Sequence, residues 1–162
     1  MQFGIGVEHA LHSLFYLIDL PKNKTVGIKK IAEINKLADA YLSKVFSKLS
    51  KAGIVRSIPG NKGGYELAKD PEDISFWDVI EAIEGNSNFF HCAETRKDNI
   101  FVEDPSIFTK ECPCLIKVVI LEAEELFRNS LRGRSLRWLH DQARKGFSTE
   151  TKNSIESWAE EI

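Results

Sequence analysis

The feature that most constrains this chain is a glycine-rich hairpin directly behind a lysine-rich helical segment. The sequence GIVRSIPGNKGGYELAKDP runs from Gly53 to Pro71. Two short β-prone runs flank a turn with three glycines and one proline in six residues, Pro59 to Gly64, which is typical of a tight β-hairpin. Glycine fits such a turn because it adopts positive φ and lets backbones approach closely. A solvated hairpin of this kind is common on protein surfaces. Its function therefore has to be inferred together with the segment that precedes it.

The segment before the hairpin predicts two helices joined by a short turn. One short helix is expected to begin at Thr25, and a turn is expected at residues 35–37. Asp39 is a candidate N-cap for a third helix that runs to Ala52 and is closed by Gly53. The third helix has an apolar face and, opposite it, a polar and mainly cationic face: Leu42, Val45, Phe46 and Leu49 against Lys44, Ser47, Lys48 and Lys51.

Two further amphipathic helices complete the predicted N-terminal domain. Apolar residues form a wide stripe from Ile5 to Leu20, and a second helical pattern runs from Ile74 to Glu84, ending at Gly85. The order of helix, turn, cationic helix and hairpin is that of a winged helix-turn-helix, whose recognition helix enters the major groove of DNA. The hairpin would then be a wing that adds phosphate or minor-groove contacts. We therefore predict a mainly α-helical DNA-binding domain over residues 1–85.

Charge is distributed unevenly along the chain. The formal net charge is −2, yet Lys22 to Lys69 holds eleven Lys and Arg against three acids, a net of +8, and the remainder has a net of −10. Such an asymmetry points to a nucleic-acid partner. The alternative is chance clustering of solvated surface charges.

Composition bounds the class of protein. A hydrophobic content of 43% and a charged content of 28% are typical of a soluble globular chain. No apolar run approaches the ~20 residues of a membrane span, and no secretory signal is evident. Three cysteines, two of them in a Cys-Pro-Cys sequence, do not form a usual disulfide framework. We expect a cytoplasmic protein without a membrane partner.

Residues 86–114 and 115–162 form two further predicted segments. The first, which contains all three cysteines, is an aperiodic loop and is predicted to be a sensor. The second begins with a long helix from Leu115 to about Leu131, followed by a tail that is helical in patches. The apolar surface of the long helix exceeds what a lone helix needs, which favours pairing with a second copy over folding back on its own domain. The predicted seam comprises Ile116, Val119, Ala123, Leu126 and Ser130.

The central part of the chain resembles the IscR/NsrR/CymR family of bacterial winged-helix repressors. The residues that carry the resemblance run from Tyr41 to Gly85, YLSKVFSKLSKAGIVRSIPGNKGGYELAKDPEDISFWDVIEAIEG. The Tyr-Leu, Leu-x-x-Ala-Gly-Ile-Val, Gly-Gly-Tyr-x-Leu-Ala and Glu-Gly elements stand there in order, and the likeness extends to about Leu131. The resemblance implies a homodimer that binds double-stranded DNA at a palindromic operator, with recognition helices about 34 Å apart.

The resemblance also implies which residues face DNA. These are the exposed face of the third helix and the wing, with Arg56 able to make a bidentate guanine contact. Lys29 and Lys30 are expected to contact phosphates only. The other assigned positions are Tyr41, Lys44, Ser47, Lys48, Asn61 and Lys62.

The cysteines Cys92, Cys112 and Cys114 correspond to three cysteines that hold an iron–sulfur cluster in many family members. Their spacing is wider than the common one, and a [2Fe–2S] cluster with a further ligand from either protomer is what the resemblance implies. Glu8 and His12, one helical turn apart, are candidate donors together with His9. Asn35 stands where some relatives have a histidine, and a neutral amide is a poor iron ligand.

Other states of the cysteines stay open from sequence alone. They are three reduced thiols in an apo protein, a zinc site that His91 could join, and a reversible disulfide. A metal would explain how an aperiodic loop stays ordered. His140 has no predicted role.

Three functions compete at this stage. The first is a transcription regulator, most simply a repressor, whose operator affinity depends on a cluster or on thiol redox state. The second is a cluster-free repressor controlled by a partner protein. The third is a thiol redox enzyme using Cys112-Pro113-Cys114, which is disfavoured because the chain has no βαβ pattern and no acid/base pair.

Overall fold

The computed structural model describes residues 2–60, 63–86 and 88–162, which form two compact units. Residues 2–86 together with 131–162 make the helix–wing unit, and residues 88–130 make the cysteine unit. The described residues contain seven α-helices and one two-stranded antiparallel sheet. The elements are α1 (Ile5–Ile18), α2 (Ile28–Asn35), α3 (Asp39–Lys51), β1 (Val55–Ile58), β2 (Gly64–Leu67), α4 (Phe76–Glu84), α5 (Leu115–Arg132), α6 (Leu136–Gly146) and α7 (Thr149–Glu160). The predicted winged helix-turn-helix with a long additional helix is confirmed.

Helix α1 is the central element of the helix–wing unit. It contacts α2, α4, α6 and β2, and its Ala10 and Leu14 are fully buried. The apolar stripe predicted from sequence therefore faces the core. The helix ends at Ile18, two residues before the end of the predicted stripe at Leu20.

The turn between α2 and α3 lies where the sequence predicts it, but α2 begins later than expected and α3 begins one residue earlier. Lys36 adopts left-handed φ/ψ of 52° and 42°, and its N–H donates to the carbonyls at the end of α2. The predicted start of α2 at Thr25 is wrong because the backbone of Val26 pairs with Tyr65, with N···O distances of 3.0 and 2.9 Å. The predicted N-cap role of Asp39 is also wrong, since Ala38 is the N-cap and Asp39 is the first helical residue.

The wing is the antiparallel pair β1–β2, with Val55 opposite Leu67. Gly64 is required at the start of β2, because a Cβ there would lie 2.5 Å from the carbonyl carbon and oxygen of Val26. This close approach joins the second strand to the segment before α2. Asn61 and Lys62, which the sequence analysis assigns to DNA contact, lie outside the described residues.

Helix α4 begins at a reciprocal capping box. The Ser75 N–H donates to Asp78 Oδ2 at 2.7 Å, and the Asp78 N–H donates to Ser75 Oγ at 3.1 Å. The predicted start at Ile74 is therefore two residues early. The carbonyl of Ile74 instead accepts from the Leu136 N–H at 2.8 Å, which attaches the start of α6 to the start of α4.

Replacing Ser75 with alanine is expected to lower the free energy of unfolding by about 1 kcal/mol, because the start of α4 loses its cap. Chemical denaturation of Ser75→Ala measures this loss. Ser157→Ala removes an exposed hydroxyl from α7 of the same unit and is the matched control, with an expected change within about 0.5 kcal/mol. Equal stabilities for the two variants would contradict the capping role.

The C-terminal tail belongs to the helix–wing unit. His140, which has no role in the sequence analysis, is buried, and its Nε2 lies 2.9 Å from Asp19 Oδ1 at the end of α1. Arg144 Nη1 donates to the same oxygen at 3.0 Å, and the His140 ring lies 5.0 Å from that of Phe15. These contacts make residues 131–162 part of the core around α1, whereas the sequence analysis groups them with the long helix.

The cysteine unit has more local structure than an aperiodic loop. Two 3-10 helices, Thr95–Asp98 and Pro105–Ile107, correct the prediction that this region is structureless. The Phe89 N–H donates to the buried carboxylate of Glu124 at 3.1 Å, and Glu124 also pairs with Arg128. The start of the loop is thereby attached to the second half of α5.

Candidate nucleic-acid interface and metal centre

The outward face of α3 carries the side chains that sequence reasoning assigned to DNA. Leu42, Phe46 and Leu49 are fully buried against the core, which forces the opposite face into solvent. Lys44 and Ser47 are exposed on that face. Among the described residues the Lys44 side chain has no ion pair or hydrogen bond, so its ammonium group is available to a phosphate.

Two other assigned residues of α3 have partners within the chain. Lys48 Nζ donates to the carbonyl of Ile83 at 2.7 Å, near the C-terminal end of α4, where a cation interacts favourably with the helix dipole. The Tyr41 hydroxyl lies 2.9 Å from His9 Nδ1. Both side chains therefore contribute to packing within the helix–wing unit, and a DNA contact would have to compete with these bonds.

The wing and the start of α2 supply further positive charge. Arg56 is exposed and pairs with Glu66 on the neighbouring strand at 2.7 Å, which offsets part of its charge. Lys29 and Lys30 are exposed in the first turn of α2. With Lys24 they line an open cleft of about 710 Å³ that extends to Gly63, the residue before β2. The lysine side chains and the uncapped N–H groups of α2 lie on one surface, where both could bind phosphate oxygens.

The cysteine unit brings together two of the three cysteines and a carboxylate. Cys92 Sγ, a carboxylate oxygen of Glu94 and Cys114 Sγ all lie within 4.8 Å of one another. Two soft thiolate donors and one hard oxygen donor are a plausible ligand set for iron or zinc. We call these three residues the Cys–Glu–Cys cluster.

Cys114 is the residue immediately before α5. Hydrogen bonds from the backbone N–H of Lys117 and, more weakly, of Ile116 lower the pKa of its thiol, with smaller contributions from Cys92 and the positive charge of Arg96, while burial opposes the shift. A helix N-terminus favours thiolate because its free N–H groups stabilise negative charge. The thiolate is the form that binds metals and reacts with oxidants.

Arg96 connects the two ends of the loop. Its Nε donates to Glu94 Oε1 at 2.5 Å, and its two Nη groups donate to the carbonyls of Pro113 and Cys112 at 3.3 and 3.2 Å. Its guanidinium carbon also lies 4.2 Å from the ring centroid of Phe108. The hydrogen bond from Arg96 lowers the pKa of Glu94, so this carboxylate is ionised at neutral pH.

The remaining predicted ligands are not in this cluster. Cys112 is exposed and outside the group, although only Pro113 separates it from Cys114. Glu8 and His12 lie on α1 of the helix–wing unit, 4.0 Å apart. The amide of Asn35 donates to the carbonyl of Ile31 at 2.9 Å and therefore serves the end of α2.

Sequence reasoning missed Glu94 and Arg96. A signal for them is present in the sequence Cys-Ala-Glu-Thr-Arg, residues 92–96, where an acid and a base follow the first cysteine at intervals of two. Cys92, Glu94 and Arg96 are half-buried, whereas the residues between them are exposed. This alternation places all three on one side of the segment.

Helix α5 exposes an apolar row. Ile116, Val119 and Leu126 have 66%, 63% and 73% of their surface exposed, and Ala123 between them is exposed as well. Their spacing of three, four and three residues is that of a coiled-coil seam. Phe127, the residue after Leu126, packs on Phe89 with ring centroids 5.8 Å apart.

Comparison with known proteins gives a consistent result. The profile of the Rrf2 family, described as an iron-dependent transcriptional regulator, matches residues 5–142. The chain is 32% identical to the transcriptional regulator NsrR of Shouchella clausii over 76% of this chain and 77% of that protein. Its fold is similar to that of T. potens IscR, with a TM-score of 0.64, 23% identity and 92% and 93% of the two chains covered. It also resembles the oxidized form of Staphylococcus aureus CymR, with a TM-score of 0.60, 26% identity and coverage of 86% and 96%.

These matches bear on the competing functions. The matched family and relatives are transcriptional regulators and not enzymes, so the redox-enzyme hypothesis is rejected. Across the described ranges, we find no helix with the length and apolarity needed to cross a bilayer.

Proposed function

Since the chain belongs to the Rrf2 family of transcriptional regulators, we propose that it represses transcription in the cytoplasm by binding a palindromic operator as a homodimer. We further propose that the occupancy or redox state of its cysteine unit sets the operator affinity. The observation that carries this proposal is the convergence of Cys92, Glu94 and Cys114 immediately before α5.

The exposed face of α3 supports the DNA-binding part of the proposal. Lys44 and Ser47 would enter the major groove, and Lys29 and Lys30 would contact the backbone beside it. Arg56 would read a guanine after exchanging its partner Glu66 for a base edge. Asn61 and Lys62 keep their predicted role at the wing tip.

Operator binding is expected to be strongly salt-dependent, and Lys44→Ala is expected to flatten the plot of log K against log salt by about 0.9 unit. The reason is that the Lys44 side chain is exposed and has no described partner, so it would neutralise a phosphate and release a counterion. Fluorescence anisotropy at several salt concentrations measures the slope.

Two further variants provide a comparison and a control for Lys44→Ala. Lys48→Ala is expected to change the slope less, because its ammonium is already bound to the Ile83 carbonyl. Lys145→Ala removes an exposed cation of α6 and is the matched control. A slope unaffected by Lys44→Ala would remove α3 from the proposed interface.

The residues of the cysteine unit are suited to an iron–sulfur cluster, which would supply redox and oxygen sensitivity when bound. Cys92 and Cys114 would hold it, and Cys112 is within chain reach as a third thiolate. Arg96 fixes the carbonyls on either side of the Cys112–Pro113 bond and so limits how these thiols can move. NsrR is a sequence relative of this chain, and IscR has a similar fold.

A second mode of regulation, a disulfide, is favoured by the proximity of two sulfurs. The Cys92 and Cys114 sulfurs lie within 4.8 Å of each other, and the pKa of the Cys114 thiol is lowered, which favours its thiolate form. Joining the two thiols as a disulfide releases two protons and transfers two electrons to an external oxidant such as a peroxide or a small-molecule disulfide. The oxidized form of CymR is among the solved structures with this fold.

Chain connectivity gives a route from the cysteines to DNA. Cys114 directly precedes α5, and α5 carries the apolar row proposed to join two protomers. A change at the start of α5 would alter the pairing of the protomers and hence the spacing of two recognition helices.

Anaerobic purification tests the regulatory part of this proposal. A cluster would give visible absorption together with stoichiometric iron and sulfide, and air oxidation would change the operator affinity. Colourless protein with an oxidation-sensitive affinity would favour the disulfide. Colourless protein that binds its operator equally well in both states would leave the partner-controlled repressor as the remaining hypothesis.

A further inference from the structure

We propose that Glu94 is the oxygen ligand of the metal centre and that Arg96 is the residue that positions it. This inference rests on the proposed function, because it names ligands for the same site. It differs from the ligand set implied by sequence, which takes its non-cysteine donors from Glu8 and His12.

The donor atoms of the Cys–Glu–Cys cluster are close enough together to bind one metal ion. Metal–sulfur and metal–oxygen bonds of about 2.3 and 2.0 Å separate the ligand atoms of one tetrahedral ion by roughly 3.3–3.8 Å. The donors of the Cys–Glu–Cys cluster are all within 4.8 Å of one another. Small side-chain movements would therefore close the site on one metal ion, and a fourth position would stay open to Cys112 or to a water molecule.

The backbone at Glu94 is strained. This residue has a φ of 53° and a ψ of 40°, a left-handed conformation that costs a non-glycine residue of order 1–3 kcal/mol. The turn directs Glu94 toward the side of the segment that holds Cys92 and Arg96. Such strain is typical of sites where a side chain must be held in one direction.

Arg96 holds both Glu94 and the segment that contains Cys112 and Pro113. It donates to Oε1 of Glu94, which leaves the second carboxylate oxygen for a metal. It also donates to the carbonyls of Cys112 and Pro113 and thereby holds the segment with Cys114 close to the segment with Cys92. A hydrogen-bonded partner of this kind orients a ligating carboxylate, and its loss typically weakens metal binding 10–100-fold.

The charges of the Cys–Glu–Cys cluster call for a cation. Two thiolates and one carboxylate would bring three negative charges together, which would repel one another without compensation. A divalent cation and the Arg96 guanidinium balance them. With Arg96 present, the charge of the Cys–Glu–Cys cluster therefore suits a divalent metal ion or one iron atom of an iron–sulfur cluster.

A titration with Co²⁺ under anaerobic conditions tests the assignment of Glu94. Cobalt bound by thiolates gives a sulfur-to-metal charge-transfer band, so binding and the number of thiolate ligands are read from one spectrum. Glu94→Gln keeps the shape and an acceptor for Arg96 but removes the negative charge, and its Co²⁺ affinity is expected to fall about 10–100-fold. Glu103→Gln, an exposed acid of the same loop, is the control and is expected to bind as wild type does.

Arg96→Gln tests the positioning role. Its Co²⁺ affinity is expected to fall by a similar factor of about 10–100, while the charge-transfer intensity at saturation stays that of wild type because both thiolates remain. Circular dichroism confirms that each variant is folded. Wild-type affinity in Glu94→Gln overturns the inference about Glu94, and wild-type affinity in Arg96→Gln overturns that about Arg96.

The cysteine variants distinguish a failure of the Glu94 assignment from a failure of the proposed metal-dependent regulation. Loss of cobalt binding in Cys92→Ser and Cys114→Ser, with unchanged binding in Glu94→Gln, would refute Glu94 as a ligand and leave the proposed metal-dependent regulation intact. A wild-type protein that binds neither Co²⁺ nor iron would refute both the Glu94 assignment and metal-dependent regulation.

Discussion

A glutamate at position 119 or 126 of α5 is expected to convert the protein from a dimer to a monomer. Val119 and Leu126 are 63% and 73% exposed in the single chain and lie in the row proposed as the seam. A carboxylate there would be buried against its own copy in a symmetric interface, where an unpaired charge costs several kcal/mol. Analytical ultracentrifugation of Val119→Glu and Leu126→Glu measures the change in mass.

Loss of the dimer is expected to reduce operator affinity by about 10²–10⁴, because two half-sites then no longer bind as one unit. Glu125→Gln, at an exposed position of α5 away from the row, is expected to stay dimeric and to bind normally. A wild-type protein that is monomeric at micromolar concentration would contradict the seam, as would a dimeric Val119→Glu variant.

Replacing Cys114 with serine is expected to abolish any visible chromophore and the response of operator binding to air. Cys114 is buried, its thiolate is stabilised by the N-terminus of α5, and it lies in the Cys–Glu–Cys cluster. Wild-type affinity is expected to differ about 10- to 100-fold between the anaerobic and air-oxidised states, which needs only about 1.4–2.7 kcal/mol of differential interaction.

The other two cysteines serve as an internal comparison. Cys92→Ser is expected to have the same effect as Cys114→Ser, whereas Cys112→Ser is expected to have a smaller one because Cys112 lies outside the cluster. Identical operator binding by anaerobic and oxidised wild type and by Cys114→Ser would exclude the cysteines as the sensor.

Much of the helix–wing fold could be predicted because its signals are local. The apolar periodicity of α3 and the glycines of the hairpin each specify their own conformation, and the structure agrees with both. The start of α2 could not be predicted, because the pairing of Val26 with Tyr65 joins residues far apart in sequence. The same holds for the tail, where His140 meets Asp19 across more than a hundred residues.

The candidate metal centre shows the same division between local and distant signals. Cysteine spacing identified the correct loop, since thiolates are the donors that soft metals prefer. Whether Cys92 or Cys112 accompanies Cys114 depends on how the loop folds, and sequence contains no short-range signal for that. Glu94 and Arg96 were missed because an acid and a base in a polar loop resemble ordinary solvated charges until their partners are known.

The discontinuity of the helix–wing unit has a consequence for its stability. About forty residues, which make up the cysteine unit, separate the two parts of the chain that form this unit. Closing a flexible loop of that length costs roughly 3 kcal/mol of conformational entropy, and a shorter or already ordered connection costs less. A ligand that orders the cysteine unit should therefore raise the melting temperature of the helix–wing unit through the chain alone. The melting temperature of the helix–wing unit, which is proposed to bind DNA, would then report whether the cysteine unit has bound its ligand.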